Sequence, residues 1–290
     1  MEFRGVYTAI ITPFNEDESI DYDSLAKLIE FNIENGVNGI VPCGTTGESP
    51  TLDYDEHNEL IKFVVKKVAG RVSVIAGTGS NCTKEAIKMS KKEESDGVDA
   101  LLLVNPYYNK PTQEGLYLHF KAIADSVSIP CVIYNIKGRT GVNVETSTLL
   151  RLINDCKNIN AVKEASGNID QIKAVIQNAP KDFSVLSGDD NIALQVVQMG
   201  GKGIVSVASN VIPKKMSEMI SLALNAKMDE AQKLNFEMEK LFGVEFIETN
   251  PIPIKYILSK KGMCNEIYRL PLCPLSEEHK LGVDKVINEM

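Results

Sequence analysis

The sequence lacks the surplus of basic residues that marks nucleic-acid-binding proteins. Its 290 residues include 31 Lys and Arg against 39 Asp and Glu, so the formal net charge is −8. Binding to phosphate backbones depends on clustered Lys and Arg, which release counterions from the nucleic acid. The composition therefore argues against a nucleic-acid partner.

Motifs for metals, disulfides and nucleotides are also missing. The histidines, His57, His119 and His279, share no ligand spacing, and the six cysteines form no CxxC pair. We therefore expect reduced thiols and neither a zinc site nor a disulfide scaffold. The segment Gly77–Cys82 lacks the third glycine of a dinucleotide fingerprint, and no phosphate-loop motif occurs.

Apolar runs in this chain are too short to span a membrane. The best one, Ala100–Val104, falls far below the ~18 residues that a spanning helix requires. The first residues, which include Glu2 and Arg4, lack the apolar core of a signal peptide. We expect a soluble protein of the cytosol.

Short β-branched, apolar segments recur at steps of 20 to 34 residues, each step long enough for one strand, one helix and two loops. The predicted strands are 6–11, 39–42, 72–77, 100–105, 130–135, 161–164, 184–187 and 203–207. The stretches between them have the apolar periodicity of helices, with Asp21 or Asp23 capping the first and Asp53 or Asp55 the second.

Eight apolar strands that alternate with amphipathic helices predict a parallel sheet covered by helices, closed into a (β/α)8 barrel. A doubly wound open sheet is the alternative. We expect the barrel to occupy residues 1–225 and a small helical region to occupy residues 226–290. One apolar stripe of that region is predicted to contain Leu281, Val286 and Ile287.

Barrel enzymes place their working side chains where strands end, and Lys163 lies at the end of the sixth predicted strand. Burial favours the neutral amine, the form that attacks a carbonyl to give a Schiff base. The alternative is a lysine at a frayed strand end, paired with Glu164 or Asp189. Tyr134, one strand earlier, is suited to shuttle a proton for Lys163, although a strand tyrosine alone more often serves packing.

The loop after the second strand is rich in glycine and hydroxyl groups. Its segment Gly44–Gly47 offers free backbone N–H groups suited to a carboxylate, and Thr45 is placed to relay a proton. Arg139, beyond Tyr134, is suited to grip a second carboxylate bidentately, although a lone loop arginine is more often a surface residue.

Taken together, five motifs in order along nearly the whole chain resemble the pyruvate-dependent class I aldolase superfamily, and within it the dihydrodipicolinate synthase family. They are Gly44–Ser49, Pro106–Pro111, Tyr134–Asn135 with Arg139–Gly141, Val162–Gly167 and Leu186–Asp190. The resemblance implies the same barrel with a C-terminal helical region, no metal or organic cofactor, and a place in the diaminopimelate route of lysine biosynthesis.

The resemblance also implies a role for each matching residue. Lys163 condenses with pyruvate, and the enamine attacks the aldehyde of aspartate 4-semialdehyde before the adduct cyclises and releases the enzyme. Tyr134, Thr45 and Tyr108 form the proton relay, with Tyr108 reaching into the neighbouring subunit of a homo-oligomer, expected to be a tetramer of two dimers. The implied substrate-binding residues are Thr46, Arg139, Gly188 and Val205.

Regulated members of the family bind lysine as an inhibitor, and five polar residues match their effector contacts. They are Ser49, His57, Asn81, Glu85 and Tyr107. Tyr54 and Pro50 depart from the pattern expected there, and Lys137 stands near Arg139 where proline is common. The departures make lysine inhibition a hypothesis to test.

Two other functions remain open at the level of sequence. A sibling lyase acting on N-acetylneuraminate or a 2-keto-3-deoxy sugar acid would share Lys163 and Tyr134, although Arg139 and Tyr108 favour the synthase. The second alternative is a catalytically silent barrel that acts as a binding protein, because fold alone does not set function.

Overall fold

The computed structural model describes residues 2–289, which fold into a closed barrel of eight parallel strands surrounded by helices. The strands are β1 (Gly5–Ala9), β2 (Gly39–Val41), β3 (Ser73–Gly77), β4 (Ala100–Val104), β5 (Cys131–Asn135), β6 (Ile159–Glu164), β7 (Ser184–Ser187) and β8 (Gly203–Ser206). Each strand pairs with the next, and β8 pairs with β1, which confirms the predicted barrel and makes the open-sheet alternative wrong.

Helices follow the strands on the outside of the barrel and continue beyond it. They are α1 (Tyr22–Glu34), α2 (Tyr54–Val68), α3 (Thr83–Asp96), α4 (Gln113–Ala124), α5 (Lys137–Thr140), α6 (Thr146–Asp155), α7 (Ile169–Asn178), α8 (Ala193–Gln198), α9 (Pro213–Leu224), α10 (Met228–Val244), α11 (Ile252–Lys260) and α12 (Glu277–Glu289). Within residues 2–289, no helix combines the length and apolar character needed to cross a membrane.

Local signals account for where the first helices begin. The Asp21 carboxylate accepts a hydrogen bond from the Ser24 backbone N–H at 2.9 Å and caps α1. At α2, the Asp53 carboxylate accepts from the Glu56 backbone, while Glu56 accepts from the Asp53 backbone at 3.2 Å. These reciprocal bonds satisfy donors that a helix start leaves free.

The core has two layers, as expected for strands covered on both sides. One layer fills the barrel interior and includes Tyr7, Leu102, Tyr134 and Val205. The other lies between the strands and the surrounding helices. The interior layer fills the barrel. A site must therefore lie at one end of it, either on the surrounding loops, which form the rim, or on the outermost interior side chains, which form the floor.

Two details of the predicted elements are wrong. The predicted first strand extended to Ile11, but the Ile11 N–H donates to the Asn210 side chain at 3.2 Å instead of to a strand neighbour, and β1 ends at Ala9. The predicted stripe on α12 included Leu281, which is 69% exposed, whereas Val283 is buried. The helix therefore turns a face slightly different from the predicted one toward the core.

Candidate active site

Lys163 and Tyr134 lie side by side inside the barrel. They are register partners on β6 and β5, and Lys163 Nζ lies 4.1 Å from the centroid of the Tyr134 ring. Lys163 is 5% exposed and Tyr134 is 4% exposed. Because adjacent parallel strands end at the same edge of the barrel, the strand register alone brings these two side chains together.

The end of β7 leaves room for the lysine side chain. A Cβ atom at Gly188 would lie 3.2 Å from Lys163 Cε and 2.6 Å from the Ala165 side chain, so glycine keeps this space open. Burial raises the pKa of the neighbouring Asp189 carboxyl, and the charge of Lys163 opposes that rise. Val205, the other predicted contact on this side, is buried on β8.

The loop after β2 is tightly held against the barrel end. A Cβ atom at Gly77 would lie 2.1 Å from the Cys43 carbonyl oxygen, so only glycine permits this close approach. Within the loop, the Glu48 backbone N–H donates to the Thr45 carbonyl at 3.1 Å. Thr46 is buried, and its hydroxyl accepts a hydrogen bond from the Asn250 side-chain amide at 3.0 Å.

A buried ion pair ties this loop to α11. Lys255 Nζ lies 2.6 Å from the Glu48 carboxylate, both side chains are fully buried, and Nζ also donates to the Ile267 carbonyl at 2.6 Å. The same ammonium lies 4.3 Å from the centroid of the Phe14 ring. Burial raises the pKa of Glu48 and lowers that of Lys255, while their mutual attraction opposes both changes.

Arg139 lies on the short helix α5, which follows β5 and also contains Lys137. One guanidinium nitrogen of Arg139 donates to the Asn250 carbonyl at 3.1 Å. The backbone of Asn250 therefore holds one side of the guanidinium fork. The remaining donors are left for other acceptors, since a guanidinium carries five N–H groups.

One cavity of about 530 Å³ opens at this end of the barrel. Thr45, Tyr134 and Arg139 are among the residues that line it. Two candidates for the proton relay and a cationic side chain therefore face the same space. A cavity of this size suits small organic acids. Its lining includes the hydroxyl groups of Thr45, Ser49 and Ser80 and the Arg139 guanidinium, which suit carboxylate-bearing compounds.

Comparison with known proteins identifies the family. The model of the dihydrodipicolinate synthetase family matches residues 2–290. The chain belongs to this family. A curated 4-hydroxy-tetrahydrodipicolinate synthase from Leptospira biflexa is 53% identical over 275 residues, covering 95% of this chain and 93% of the relative. The same enzyme from Methanocaldococcus jannaschii is 49% identical over 288 residues, covering 99% of each.

Solved structures of the family share the fold. The crystal structure of dihydrodipicolinate synthase from Aquifex aeolicus has a TM-score of 0.97 and 46% identity, covering 99% of this chain and 98% of that one. A monomeric dihydrodipicolinate synthase variant has a TM-score of 0.97 and 41% identity, covering 99% and 96%. These matches confirm that the chain is an enzyme of the predicted synthase type, and they do not favour the sibling lyase or the silent barrel.

The five predicted effector residues of this family member lie close to one another. Ser49, His57, Glu85 and Tyr107 line the cavity described above, and the Asn81 amide donates to the Tyr107 carbonyl at 3.2 Å. The neighbouring Tyr54 also lines the cavity, and Lys88 Nζ lies 3.9 Å from its ring centroid.

Hydrogen bonds hold the side chains of two effector residues in place. His57 Nε2 lies 2.9 Å from the Gly77 carbonyl, and burial lowers the pKa of its imidazole. Glu85 accepts a hydrogen bond from the Ser80 hydroxyl. This part of the cavity therefore offers both a carboxylate and a fixed imidazole to a ligand.

The tyrosine pair after β4 lies on the rim. Tyr107 is 41% exposed and Tyr108 is 88% exposed. Tyr108 also adopts a left-handed backbone conformation with φ of +70°, which is strained for a bulky side chain. Tyr108 is not among the residues that line the cavity with Tyr134. Its reach into a neighbouring subunit stays a prediction.

A polar network that was not predicted from the sequence lies behind the strand ends. The Glu164 carboxylate is fully buried and accepts from Asn135 at 2.9 Å and from Gln171 at 3.1 Å. Asn135 also accepts from Asn105 at 2.8 Å. Because Asn135 and Glu164 directly follow Tyr134 and Lys163, this network fixes the ends of β5 and β6.

Asn250 and Lys255 were missed as well. Their contacts with Thr46 and Glu48 join residues 204 and 207 positions apart, which no local pattern reveals. One signal was available, since Lys255 interrupts an otherwise apolar helical stretch, Ile252–Leu258. A charge inside such a stretch indicates either a solvated face or a buried partner.

Proposed function

We propose that this chain condenses pyruvate with aspartate 4-semialdehyde, using Lys163 as the nucleophile. The observation that carries the proposal is the buried lysine beside Tyr134 on the barrel floor. A lysine in this setting has two features that Schiff-base catalysis needs: a shielded amine and a neighbouring group able to move a proton.

In the first step, Lys163 Nζ attacks the keto carbon of pyruvate and forms a carbinolamine. Loss of water gives the imine, and the water leaves as the carbinolamine hydroxyl takes up a proton. Tyr134 is the proposed donor, since its register places the phenol beside the amine. Loss of a methyl proton then gives an enamine, whose carbon attacks the aldehyde. The amino group that came with the semialdehyde then attacks the imine carbon, and the bond from that carbon to Lys163 Nζ breaks. This exchange closes the ring and releases the lysine as a free amine.

Thr45 and Tyr108 complete the proposed proton relay. Thr45 lines the cavity together with Tyr134, which is compatible with a relay leading outward. Tyr108 is 88% exposed in the single chain, so it is free to enter the site of a second copy. The proposal therefore includes a homo-oligomer, a tetramer of two dimers, in which each site borrows Tyr108 from its neighbour.

The two substrate carboxylates have separate partners in this proposal. Thr46 and the neighbouring backbone N–H groups hold the carboxylate of pyruvate. Arg139 receives the carboxylate of the semialdehyde, for which a guanidinium fork is suited. Gly188 and Val205 shape the wall beside Lys163, with Gly188 leaving space for its side chain.

Substrate turnover tests the reaction. Purified protein is supplied with pyruvate and aspartate 4-semialdehyde, and loss of both is followed together with formation of the cyclic product. A matched reaction contains N-acetylneuraminate alone. We expect condensation and no cleavage of the sugar acid. Cleavage without condensation would assign the chain to the sibling lyase reaction instead.

We also propose that lysine inhibits the enzyme at the rim of the same cavity. The supporting observation is that four of the five predicted effector residues line it, and the fifth, Asn81, donates to the carbonyl of one of them, Tyr107. Glu85 suits an ammonium group, and Asn81 suits a carboxylate. Lysine is titrated into the turnover assay, with ornithine as a control of shorter side chain. Absence of inhibition at millimolar lysine would remove this proposal.

A further inference from the structure

The segment between α10 and α11 contacts both proposed carboxylate-binding residues through one residue, Asn250. Its side-chain amide donates to the Thr46 hydroxyl at 3.0 Å, and its backbone carbonyl accepts from the Arg139 guanidinium at 3.1 Å. Asn250 is 4% exposed and Thr46 is 2% exposed, so water does not compete for the first of these bonds. One residue outside the barrel thus joins two loops of the site.

The direction of the bond to Thr46 has a chemical consequence. A hydroxyl carries one hydrogen and two acceptor lone pairs. Because Thr46 accepts from Asn250, its own hydrogen is free to donate elsewhere. The Oδ1 atom of Asn250 is buried with no hydrogen-bond partner among residues 2–289, so it takes no hydrogen from Thr46. A hydroxyl held in this way is a donor, as an anionic ligand requires.

A second contact anchors the same two segments to each other. Lys255, five positions after Asn250, pairs with Glu48, two positions after Thr46, at 2.6 Å and without solvent exposure. The Lys255 backbone N–H also donates to the Pro251 carbonyl at 3.0 Å, which joins Lys255 to the residue following Asn250. The position of Asn250 relative to Thr46 is therefore set from both sides.

We infer that Asn250 is a positioning residue, which turns the Thr46 hydroxyl into a donor toward the pyruvate carboxylate and couples Thr46 to Arg139. The inference rests on the proposed function, since it needs pyruvate at Thr46. It predicts that changes at Asn250 act mainly on pyruvate binding, although Asn250 does not itself contact the substrate.

The test compares Asn250→Asp with Asn250→Ala by steady-state kinetics. An aspartate accepts the Thr46 hydrogen and adds a negative charge, so we expect the KM for pyruvate to rise roughly 10- to 100-fold. Alanine removes the amide without adding charge, and we expect a smaller rise of about three- to tenfold. Asn265→Ala is the control, because Asn265 lies beyond the other end of α11 and, among residues 2–289, its side chain donates only to the Phe14 carbonyl, at 3.4 Å.

Making Asn250→Ala in a Thr46→Val variant distinguishes a loss of positioning from general damage to the fold. With the hydroxyl gone, Asn250→Ala has nothing to orient, so it should raise the KM for pyruvate by less than twofold beyond Thr46→Val alone. Thermal melting of each variant reports folding, and rates are expressed per folded chain. An equal KM rise in both backgrounds, or KM values for both Asn250 variants that match Asn265→Ala, would overturn the inference.

Failure of the proposed function has a different signature. Borohydride trapping of pyruvate by the unaltered protein reports the Schiff base without reference to Asn250. If Lys163 is not trapped, the proposed function fails, and the inference fails with it. If Lys163 is trapped and the Asn250 variants behave like Asn265→Ala, the inference alone fails.

Discussion

The floor and the rim of this end of the barrel are built in opposite ways. On the floor, Lys163 and Tyr134 are 5% and 4% exposed and are held by the register of adjacent strands. On the rim, Tyr107 and Tyr108 are 41% and 88% exposed and lie on a loop. One chain therefore buries the floor by itself, whereas the rim leaves the side chain of Tyr108 largely exposed.

The largest effect is expected on the floor. Tyr134→Phe keeps the ring and removes the hydroxyl, so proton transfer loses its proposed donor and kcat should fall by roughly 10²- to 10⁴-fold. The matched control is Tyr7→Phe, a buried tyrosine of the same barrel interior whose hydroxyl accepts from the Arg4 backbone. A kcat for Tyr134→Phe within twofold of that of Tyr7→Phe would contradict the proton-shuttle role.

A second effect concerns the buried ion pair of Glu48 and Lys255, which anchors the loop after β2 to α11. Lys255→Met leaves the Glu48 carboxylate buried without its cation, and we expect the free energy of unfolding to fall by about 3–5 kcal/mol. The added change Glu48→Gln should recover much of this loss. Denaturant unfolding measures both variants.

The control for this pair is an exposed one. Lys240 pairs with Glu289, and their side chains are 69% and 55% exposed. Lys240→Met should cost less than about 1 kcal/mol, because exposed pairs contribute little. A Lys255→Met loss no larger than that of Lys240→Met would show that burial does not make the Glu48 pair structurally important.

The rim is tested by mixing two defective chains. Tyr108→Phe and Lys163→Ala each lower activity by removing one proposed group, the tyrosine by roughly 10²-fold. In a mixed dimer, the intact Lys163 of one chain meets the intact Tyr108 of the other. Random pairing should restore about a quarter of the sites.

The two variants are refolded together and compared with each refolded alone. If Tyr108 acts within its own chain, activity should not recover in the mixture. Tyr107→Phe mixed with Lys163→Ala serves as the control, since Tyr107 is proposed for effector binding and not for the relay.

The smallest effect is a pH dependence of stability that comes from His119, a buried residue of α4. His119 contacts the Thr83 hydroxyl at 2.8 Å at the start of α3, and burial lowers the pKa of His119 to about 4. Below its unfolded value of about 6.5, the unfolded chain binds a proton that the folded chain does not. Stability from this group therefore falls as the pH falls from 6.5 toward 4.

The expected slope is about 1.4 kcal/mol per pH unit from this single group. Urea unfolding at several pH values measures this contribution as the difference in free energy of unfolding between the unaltered protein and His119→Asn. The variant should lose less stability on acidification. Parallel curves for the two proteins would contradict the proposed neutral state of His119.

Sequence patterns predicted the barrel because its strands repeat a local signal, an apolar run followed by a capped helix. They predicted Lys163 and Tyr134 as a pair because both lie at the ends of adjacent strands. They did not predict Asn250 or the Lys255–Glu48 pair, because those contacts join distant segments through individual side chains. Which face of α12 is buried likewise depends on what packs against it, and Leu281 was placed wrongly for that reason.

The proposed reaction depends on a Schiff base between Lys163 and pyruvate. Borohydride reduction in the presence of pyruvate, followed by intact mass and peptide mapping, tests it most directly. We expect one reduced pyruvate per chain, located on Lys163, and no label in Lys163→Ala. An unlabelled folded protein, or a label on another lysine, would contradict the account.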